Sequence, residues 1–446
     1  RRYGRATTKD VSTPLPPRPE AIRTRTMRIC TLSREIGPAL ERLGHEVLNL
    51  SPEGQAVLDL PALLAERNFT PELVFQEETL GPRMLLSGLE RLPCPKIFWS
   101  VDTHLNRFWH LPYLRLFDGV MSPHVSILQD APGRPPLARL ARVGYALPWR
   151  PFAERERDVV FVGRFTSHRP GRQWLADFLI REYQATIAQD IPLREMLGLY
   201  GQARLAPNEA ILSEVNFRLV EAASCGCLVL SQDVGPDQDA LFTPGREIET
   251  FGHVLELKGL MDYYLARPDK AEALARAAWE RVRAEHLAEH RGRAILDFAE
   301  KLPRRTVTDD EARTAFWLTL LGLKRTGLMD LPWEPIARGL TNVSASPEVM
   351  AGLFRLWAEA GRQDLVMGLA AQLIATPRPA AGQDAGHAAG QTPVSGEGRG
   401  TDLDLDVAAS LAGLRTGDLT LARQFWFHHC RLQQRRTPER PDTAVA

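Results

Sequence analysis

Cysteine is scarce in this chain: five in 446 residues, Cys30, Cys94, Cys225, Cys227 and Cys430. They are odd in number and mostly sit in apolar runs, which argues against a disulfide framework and for a reduced, cytoplasmic compartment. Long apolar runs are missing too. None approaches the roughly 18 residues that cross a bilayer, so no transmembrane segment is expected. Neither sign of charge is in excess, with 55 basic and 55 acidic residues. Without a net field, nucleic acid and anionic membrane are not expected partners. Residues 1–26 are rich in Arg, Thr and Pro and lack the apolar centre of a secretory signal. They read as a disordered arm, and the folded chain is expected to start at Met27.

What is present is length enough for two to four domains, at roughly 100–200 residues each. The stretch from Met27 to Leu50 reads as strand (27–32), helix (35–43), a stop at Gly44 and a second strand (46–50). Such a βαβ unit carries parallel strands and a right-handed crossover. Further strands are expected at 73–76, 96–100, 119–121 and 141–143. The alternation predicts an α/β unit with an open parallel sheet over 27–147. Near residue 148 the pattern restarts. "RDVVFVGRF" reads as a strand, "PGRQWLADFLIREYQA" as a helix, "MLGLYG" as a strand, "VNFRLVEAASCG" as a helix and "CLVLS" as a strand. A short helical turn at "DQDALF" and a strand edge at "REIETF" follow. Residues 258–302 read as helical. Two Rossmann-like units, 27–147 and 148–303, therefore face a cleft, and the carboxyl ends of parallel strands are where ligands bind in such folds.

Strand signals vanish after residue 304. Residues 347–374 and 406–430 each read as helix, tight turn, helix, with glycines Gly361 and Gly417 at the turns. This weak repeat is similar to tetratricopeptide-like hairpins and predicts an all-helical module over 304–446. Residues 377–402 are Gly, Ala, Pro and polar, and are expected to be a disordered insert. The aromatics Phe354, Trp357, Phe425, Trp426 and Phe427 are mostly core in this reading; a groove for a protein partner is the alternative.

One stretch carries chemistry. In "NFRLVEAASCGCLVLS", Arg218 and Glu221 stand three apart and share a helix face. A surface ion pair is one reading. The other rests on the small residues around them, which bury the helix. A carboxylate at the cleft end of such a helix can accept two hydrogen bonds from a ribose diol.

The run 216–251 resembles the donor-binding region of GT-B glycosyltransferases, in particular the CgeB-like, spore-maturation-protein-like bacterial group. The matching residues are Asn216, Arg218, Glu221, Ala222 and Gly226, then "LFTPGRE" at 241–247. "FVGRFTSHR", "EHLAEHRGRAIL" and "IFWSVDTH" are similar to other parts of that family, so the likeness spans roughly 27–303. It implies sugar transfer from a nucleoside-diphosphate sugar, with no cofactor beyond that co-substrate. Carried over, Glu221 binds the ribose, and Arg218 orients it or reaches the phosphates. The loop from Gly163 to Arg169 faces the diphosphate, with Arg164 and Arg169 as charge partners. Arginines and helix N-termini stabilise a leaving diphosphate without a metal. No Asp-x-Asp pair stands in a suitable place, which fits a metal-independent reaction.

One departure stands out. Many retaining relatives carry a second glutamate eight positions before the ribose-binding one. Here Ser213 occupies that place, and Glu214 is one residue off, about 100° of helical rotation. Asp102 and His104 follow the strand "KIFWS" and are candidate bases for an acceptor hydroxyl; Asp102 alternatively caps the following helix. "HLAEH" at 286–290 matches a zinc-protease pattern, but no further ligand stands out. Cys225 and Cys227 lack a second ligand pair.

The leading expectation is a metal-independent glycosyltransferase of the hexosyltransferase type. Its acceptor is an unidentified glycan, protein or lipid. Two other expectations are a non-catalytic scaffold acting through its helical tail and a sugar-nucleotide epimerase.

Overall fold

The computed structural model describes residues 25–51, 54–167, 169–375 and 397–434, with backbone alone at 397–404 and 431–434. Most of the arm expected at 1–26 and most of the insert expected at 377–402 lie outside the described residues.

The first unit contains β1 (Arg28–Leu32), β2 (Glu46–Asn49), β3 (Ala56–Asp59), β4 (Leu73–Glu77), β5 (Met84–Ser87), β6 (Lys96–Trp99), β7 (Gly119–Ser122) and β8 (Leu137–Arg139). Six of these form one sheet in the order β2-β1-β4-β6-β7-β8, with every pair parallel. β3 and β5 pair separately as a small parallel ribbon. β6 and β7 are buried along their whole length, as strands covered on both faces must be. The second unit holds β9 (Arg157–Val162), β10 (Thr186–Ala188), β11 (Ala203–Asn208), β12 (Leu228–Gln232) and β13 (Glu249–Phe251). Its order is β10-β9-β11-β12-β13, again all parallel. The chain is thus an α/β protein of two Rossmann-like sheets followed by helices.

Three expectations are corrected. "MLGLYG" is not a strand but the end of a helix, Leu193–Gly201; the strand is the next run, β11. Pro207 within β11 argues against a central strand from sequence, because proline removes a ladder donor. The strand expected at 141–143 is instead the crossing to the second unit. β8 forms four residues earlier, where Leu137 pairs with Val120. Residues 397–402, expected within the insert, open the helix Glu397–Thr416, which continues into the apolar stretch that follows.

The helix Ala288–Lys301, expected to close the second unit, returns to the first. Ile295 and Ala299 pack with Ile29, Ile36 and Leu40. The approach is close: a Cβ on Gly119 would sit 2.7 Å from Phe298 and 2.8 Å from Leu302. The two chain crossings meet at one point, where the Gly144 amide donates to the His286 carbonyl (2.7 Å) and Gly144 bridges Leu287.

The C-terminal helices are Asp309–Arg325, Trp333–Thr341, Pro347–Glu359, Gln363–Ala375, Glu397–Thr416 and Leu419–Gln434. The first is capped reciprocally, with Thr308 and Glu311 each bonding the other's backbone amide. It packs on the helix Thr103–Leu114, which covers the first sheet. The core is continuous across this contact and joins Phe98, Trp109 and Leu114 to Ala315, Leu318, Phe354 and Phe425. Arg115 grips Glu348 with two hydrogen bonds of 2.8 Å. Phe354, Trp357 and Phe425 are core; Trp426 and Phe427 are exposed.

Candidate functional site: the cleft between the sheets

Polar side chains collect where the strands of both sheets end. From the first unit come Glu35 after β1, Glu77 and Glu78 at the end of β4, Asp102 and His104 after β6, His124 after β7, and Arg142 after β8. From the second come the 163–169 loop after β9, Glu209 to Asn216 after β11, and Asp237 and Gln238 after β12. The topology alone delivers this convergence, because every strand is parallel.

The two walls touch at several points. Asp237 is buried and accepts from Arg139 (2.7 Å) and from the Ser126 amide (3.1 Å) and hydroxyl (2.5 Å). His124 Nε2 accepts the Val215 amide at 2.9 Å. Burial, then the charge of His104, lowers the His124 pKa to about 4, so it stays neutral and fit to accept. His104 Nε2 lies 3.0 Å from Glu214 Oε2 across the cleft. Burial opposes the charge on Glu214, yet His104, Arg169 and Arg172 together hold its pKa below the usual carboxylate value. Leu212 and Ser213, just before it, both have positive φ (49° and 57°). Left-handed backbone is costly for a non-glycine residue, at about 1–3 kcal/mol, and such strain clusters at functional sites.

The Asp237 contact yields a direct expectation. Asp237→Ala strands Arg139 and two Ser126 donors, and should cost about 2 kcal/mol, discounted because Arg139 is partly exposed. A lower thermal midpoint together with a larger radius of gyration by X-ray scattering is the expected result. An unchanged radius would show that this contact does not hold the walls together.

Glu221 faces the same cleft from the helix Phe217–Ser224. Among the described residues no hydrogen bond or ion pair to its carboxylate is found. Burial raises its pKa to about 7, against the lowering charges of Arg218 and Arg142 and in concert with Glu35. Tyr145 donates to Glu35 at 3.5 Å. Arg142 connects this group to Asp102: it pairs with Glu77 (3.1 Å), and its guanidinium lies 3.4 Å from the Phe217 ring centroid.

The sequence-predicted residues fall into three groups. Asp102, His104 and Glu221 line the cleft, and Arg169 reaches it through Glu214 at 3.8 Å. Among the described residues Arg218 makes no ion pair with Glu221 and braces strand ends. It donates to the Val162 carbonyl (2.8 Å) and Asn208 Oδ1 (2.9 Å) over the Phe161 ring. Gly163 gives it room, since a Cβ there would sit 2.6 Å from Nη2. Arg164 is exposed beside Asp190; Asn216 occupies the N-cap position of its helix without a capping hydrogen bond and donates to the Glu209 carbonyl at 2.9 Å. Gly226 lies at the far end of the helix, with φ of +73°, against Arg155 and Trp149. Asp102 occupies the N-cap position of its helix but makes no capping hydrogen bond. In the "HLAEH" stretch, His286 bonds the Leu241 carbonyl (3.1 Å) and His290 accepts the Leu287 amide (3.2 Å). Among the described residues no group of three or more metal-ligating side chains is found.

Sequence reasoning missed Glu35, Glu78, Arg142 and Tyr145. Their shared signal is position alone, each at or just past the carboxyl end of a strand or in the crossing. Buried polar atoms without a hydrogen-bond partner among the described residues mark the same region: His104 Nδ1, His124 Nδ1, Arg142 Nε, Asn216 Oδ1 and Gln238 Nε2. Buried polar atoms are rarely left unpaired. The cavity lined by Phe152, Arg204, Tyr264 and Glu272 lies at the amino ends of β9 and β11 and is the less suitable ligand site for that reason.

Residues 149–297, about a third of the chain and most of the second unit, match the family model described as glycosyl transferase-like. No curated protein matches the sequence. Sucrose-phosphate synthase of Thermosynechococcus elongatus aligns at 12% identity, covering 62% of this chain and 98% of that one, with a TM-score of 0.42. A glycosyltransferase of Rickettsia africae aligns at 10% identity, covering 62% and 99%, with a TM-score of 0.44. Anabaena HepE in complex with UDP-glucose aligns at 12% identity, covering 62% and 100%, with a TM-score of 0.40. The second unit is therefore similar to a glycosyl transferase-like domain over residues 149–297.

Proposed function

We propose that this protein transfers a sugar from a nucleoside-diphosphate donor to an acceptor hydroxyl without a metal. The observation that carries the reading is the partnerless Glu221 carboxylate, held at the cleft wall of the domain that matches the glycosyl transferase-like family. A ribose diol supplies the two donors that such a carboxylate lacks. Arg169 stands at the amino end of the helix Pro170–Tyr183, where backbone amides and a guanidinium favour a diphosphate. Arg218 acts in this reading as a brace for the loops rather than as a phosphate ligand. Asp102, with no capping bond, is the acceptor-side base, and His104 sits across from the donor-side Glu214. Cytoplasmic location, the hexosyltransferase type, the CgeB-like subgroup and the tetratricopeptide-like nature of the helical layer belong to the same proposal. No helix among the described residues is long and apolar enough to cross a membrane.

The test is release of nucleoside diphosphate from UDP-, GDP-, ADP- and dTDP-sugars, with water or added sugars as acceptor. Turnover of one of them is expected, with Asp102→Asn lowering kcat by about 100-fold or more, the scale of a lost general base, and leaving KM for the donor nearly unchanged. Equal turnover in wild type and Asp102→Asn would remove Asp102 from the chemistry. No turnover of any donor would sink the transferase reading.

A further inference from the structure

We infer that Glu78 is a positioning residue for Asp102: the carboxylate that anchors the backbone after β6 also holds a negative charge against the Asp102 carboxyl. The geometry is specific. Glu78 Oε2 accepts the amides of both Val101 (2.9 Å) and Asp102 (2.7 Å). Oε1 accepts from Asn106 Nδ2 (2.6 Å) and Arg83 Nη1 (3.3 Å), with His110 Nε2 at 3.2 Å. The side chain is buried, and five groups on three segments of chain converge on it. A carboxylate so surrounded stays ionised: burial opposes its charge, but His110, the Asp102 amide and Arg83 outweigh that and lower its pKa to about 2.

The anchor continues inward. His110 Nδ1 is 2.9 Å from the Ser100 hydroxyl, Ser100 is 2.6 Å from Thr103, and Thr103 is 2.9 Å from Ser122. Ser122 accepts the His124 amide at 2.9 Å. One buried polar chain therefore runs beneath the cleft from Glu78 to His124, and Asp102 is tethered to its first member. A turn held this way cannot relax to let Asp102 swing onto a neighbouring amide.

Asp102 itself is faced by four ionisable groups from four segments: Glu78 at the end of β4, Arg142 on the crossing, His104 on its own helix and Glu214 from the second unit. Burial raises the Asp102 pKa first and the Glu78 charge second, while Arg142 and His104 lower it. A more basic carboxylate is a better proton acceptor near neutral pH. The role of Glu78 in turnover rests on the transferase reading; its hold on Asp102 does not.

The experiment exploits that difference. Protein labelled with 13C at aspartate carboxyls is titrated by NMR, with Asp102→Asn identifying the Asp102 signal. Glu78→Gln keeps the shape and removes the charge, so the Asp102 midpoint should fall. Arg83→Gln removes a countercharge, so the midpoint should rise. Opposite movements confirm the assignment, and a purely structural Glu78 predicts none. If Glu78→Gln does not fold, Arg83→Gln still decides: an unmoved Asp102 midpoint overturns the inference. Because the readout needs no substrate, a chain that hydrolyses no sugar nucleotide still tests the positioning, and failure of the two proposals is told apart.

Discussion

Replacing Glu221 with alanine is expected to abolish the thermal stabilisation produced by nucleoside diphosphates. A nucleotide at 100 times its dissociation constant stabilises the fold by about 2.7 kcal/mol. Two hydrogen bonds to a carboxylate contribute on the order of 3 kcal/mol or more, so affinity should fall at least about 100-fold and the shift should vanish. The pKa of about 7 adds a pH signature. Ribose hydroxyls donate, so binding prefers the ionised carboxylate, and affinity should rise from pH 6 to pH 8. Stability without ligand runs the other way. The folded pKa lies above the unfolded value, so the folded state holds its proton more tightly. Stability from this group is greatest at low pH and falls as pH rises from about 4.5 through 7. At pH 8 the ionised, partnerless carboxylate costs the apo fold about 3 kcal/mol. Glu221→Gln should therefore raise the apo melting temperature at pH 8 and flatten the pH dependence of any remaining nucleotide shift. A nucleotide shift that survives Glu221→Ala intact would place the ribose elsewhere.

Removing residues 304–446 is expected to be as damaging as a core deletion. From sequence, these helices read as a separable module. In the structure the helix Asp309–Arg325 covers Thr103–Leu114, and one apolar core runs through both. Each leucine uncovered there costs about 1.5–3 kcal/mol, and a domain has about 5–15 kcal/mol to lose. The 1–303 fragment should be insoluble or melt without a cooperative transition, when followed by circular dichroism beside the full chain. A fragment with the full-length melting temperature would show the module to be an independent appendage.

The contrast between these two regions shows what a sequence discloses. Strands and helices of the first unit were legible wherever apolar runs were bounded by glycine or a charged turn, as at β1 and β6. The six residues 196–201 read as a strand because a short run of Leu, Met and Tyr suits a strand and a buried helix equally; they are the end of the helix Leu193–Gly201. β3 and β5 went unseen because each is four residues long and only half-buried. At the site, the three-residue spacing of Arg218 and Glu221 placed both on a helix of the second unit. It did not show that Arg218 would be held at the strand ends by the Val162 carbonyl and Asn208. Glu78, Arg142 and Tyr145 had no motif to announce them. Their roles come from distances between segments far apart in the chain, and those exist only after the strands are ordered.

The meeting of Gly144 with Leu287 has a mechanical consequence. Both polypeptide links between the two sheets run side by side at that point, joined by the Gly144–His286 hydrogen bond. Val282 and Ser224 crowd Gly144 there, within 2.6 Å and 3.2 Å of where a Cβ would stand. A paired link of this kind resists sliding of one sheet past the other and leaves rotation about itself as the soft coordinate. Since Ala288–Lys301 and the later described helices pack with the first unit, the body on that side of the axis includes the helical layer. A small angular displacement at the axis is a large linear one at the outermost helices, Glu397–Thr416 and Leu419–Gln434, which makes them the natural place for a spectroscopic label to report how far the cleft is open.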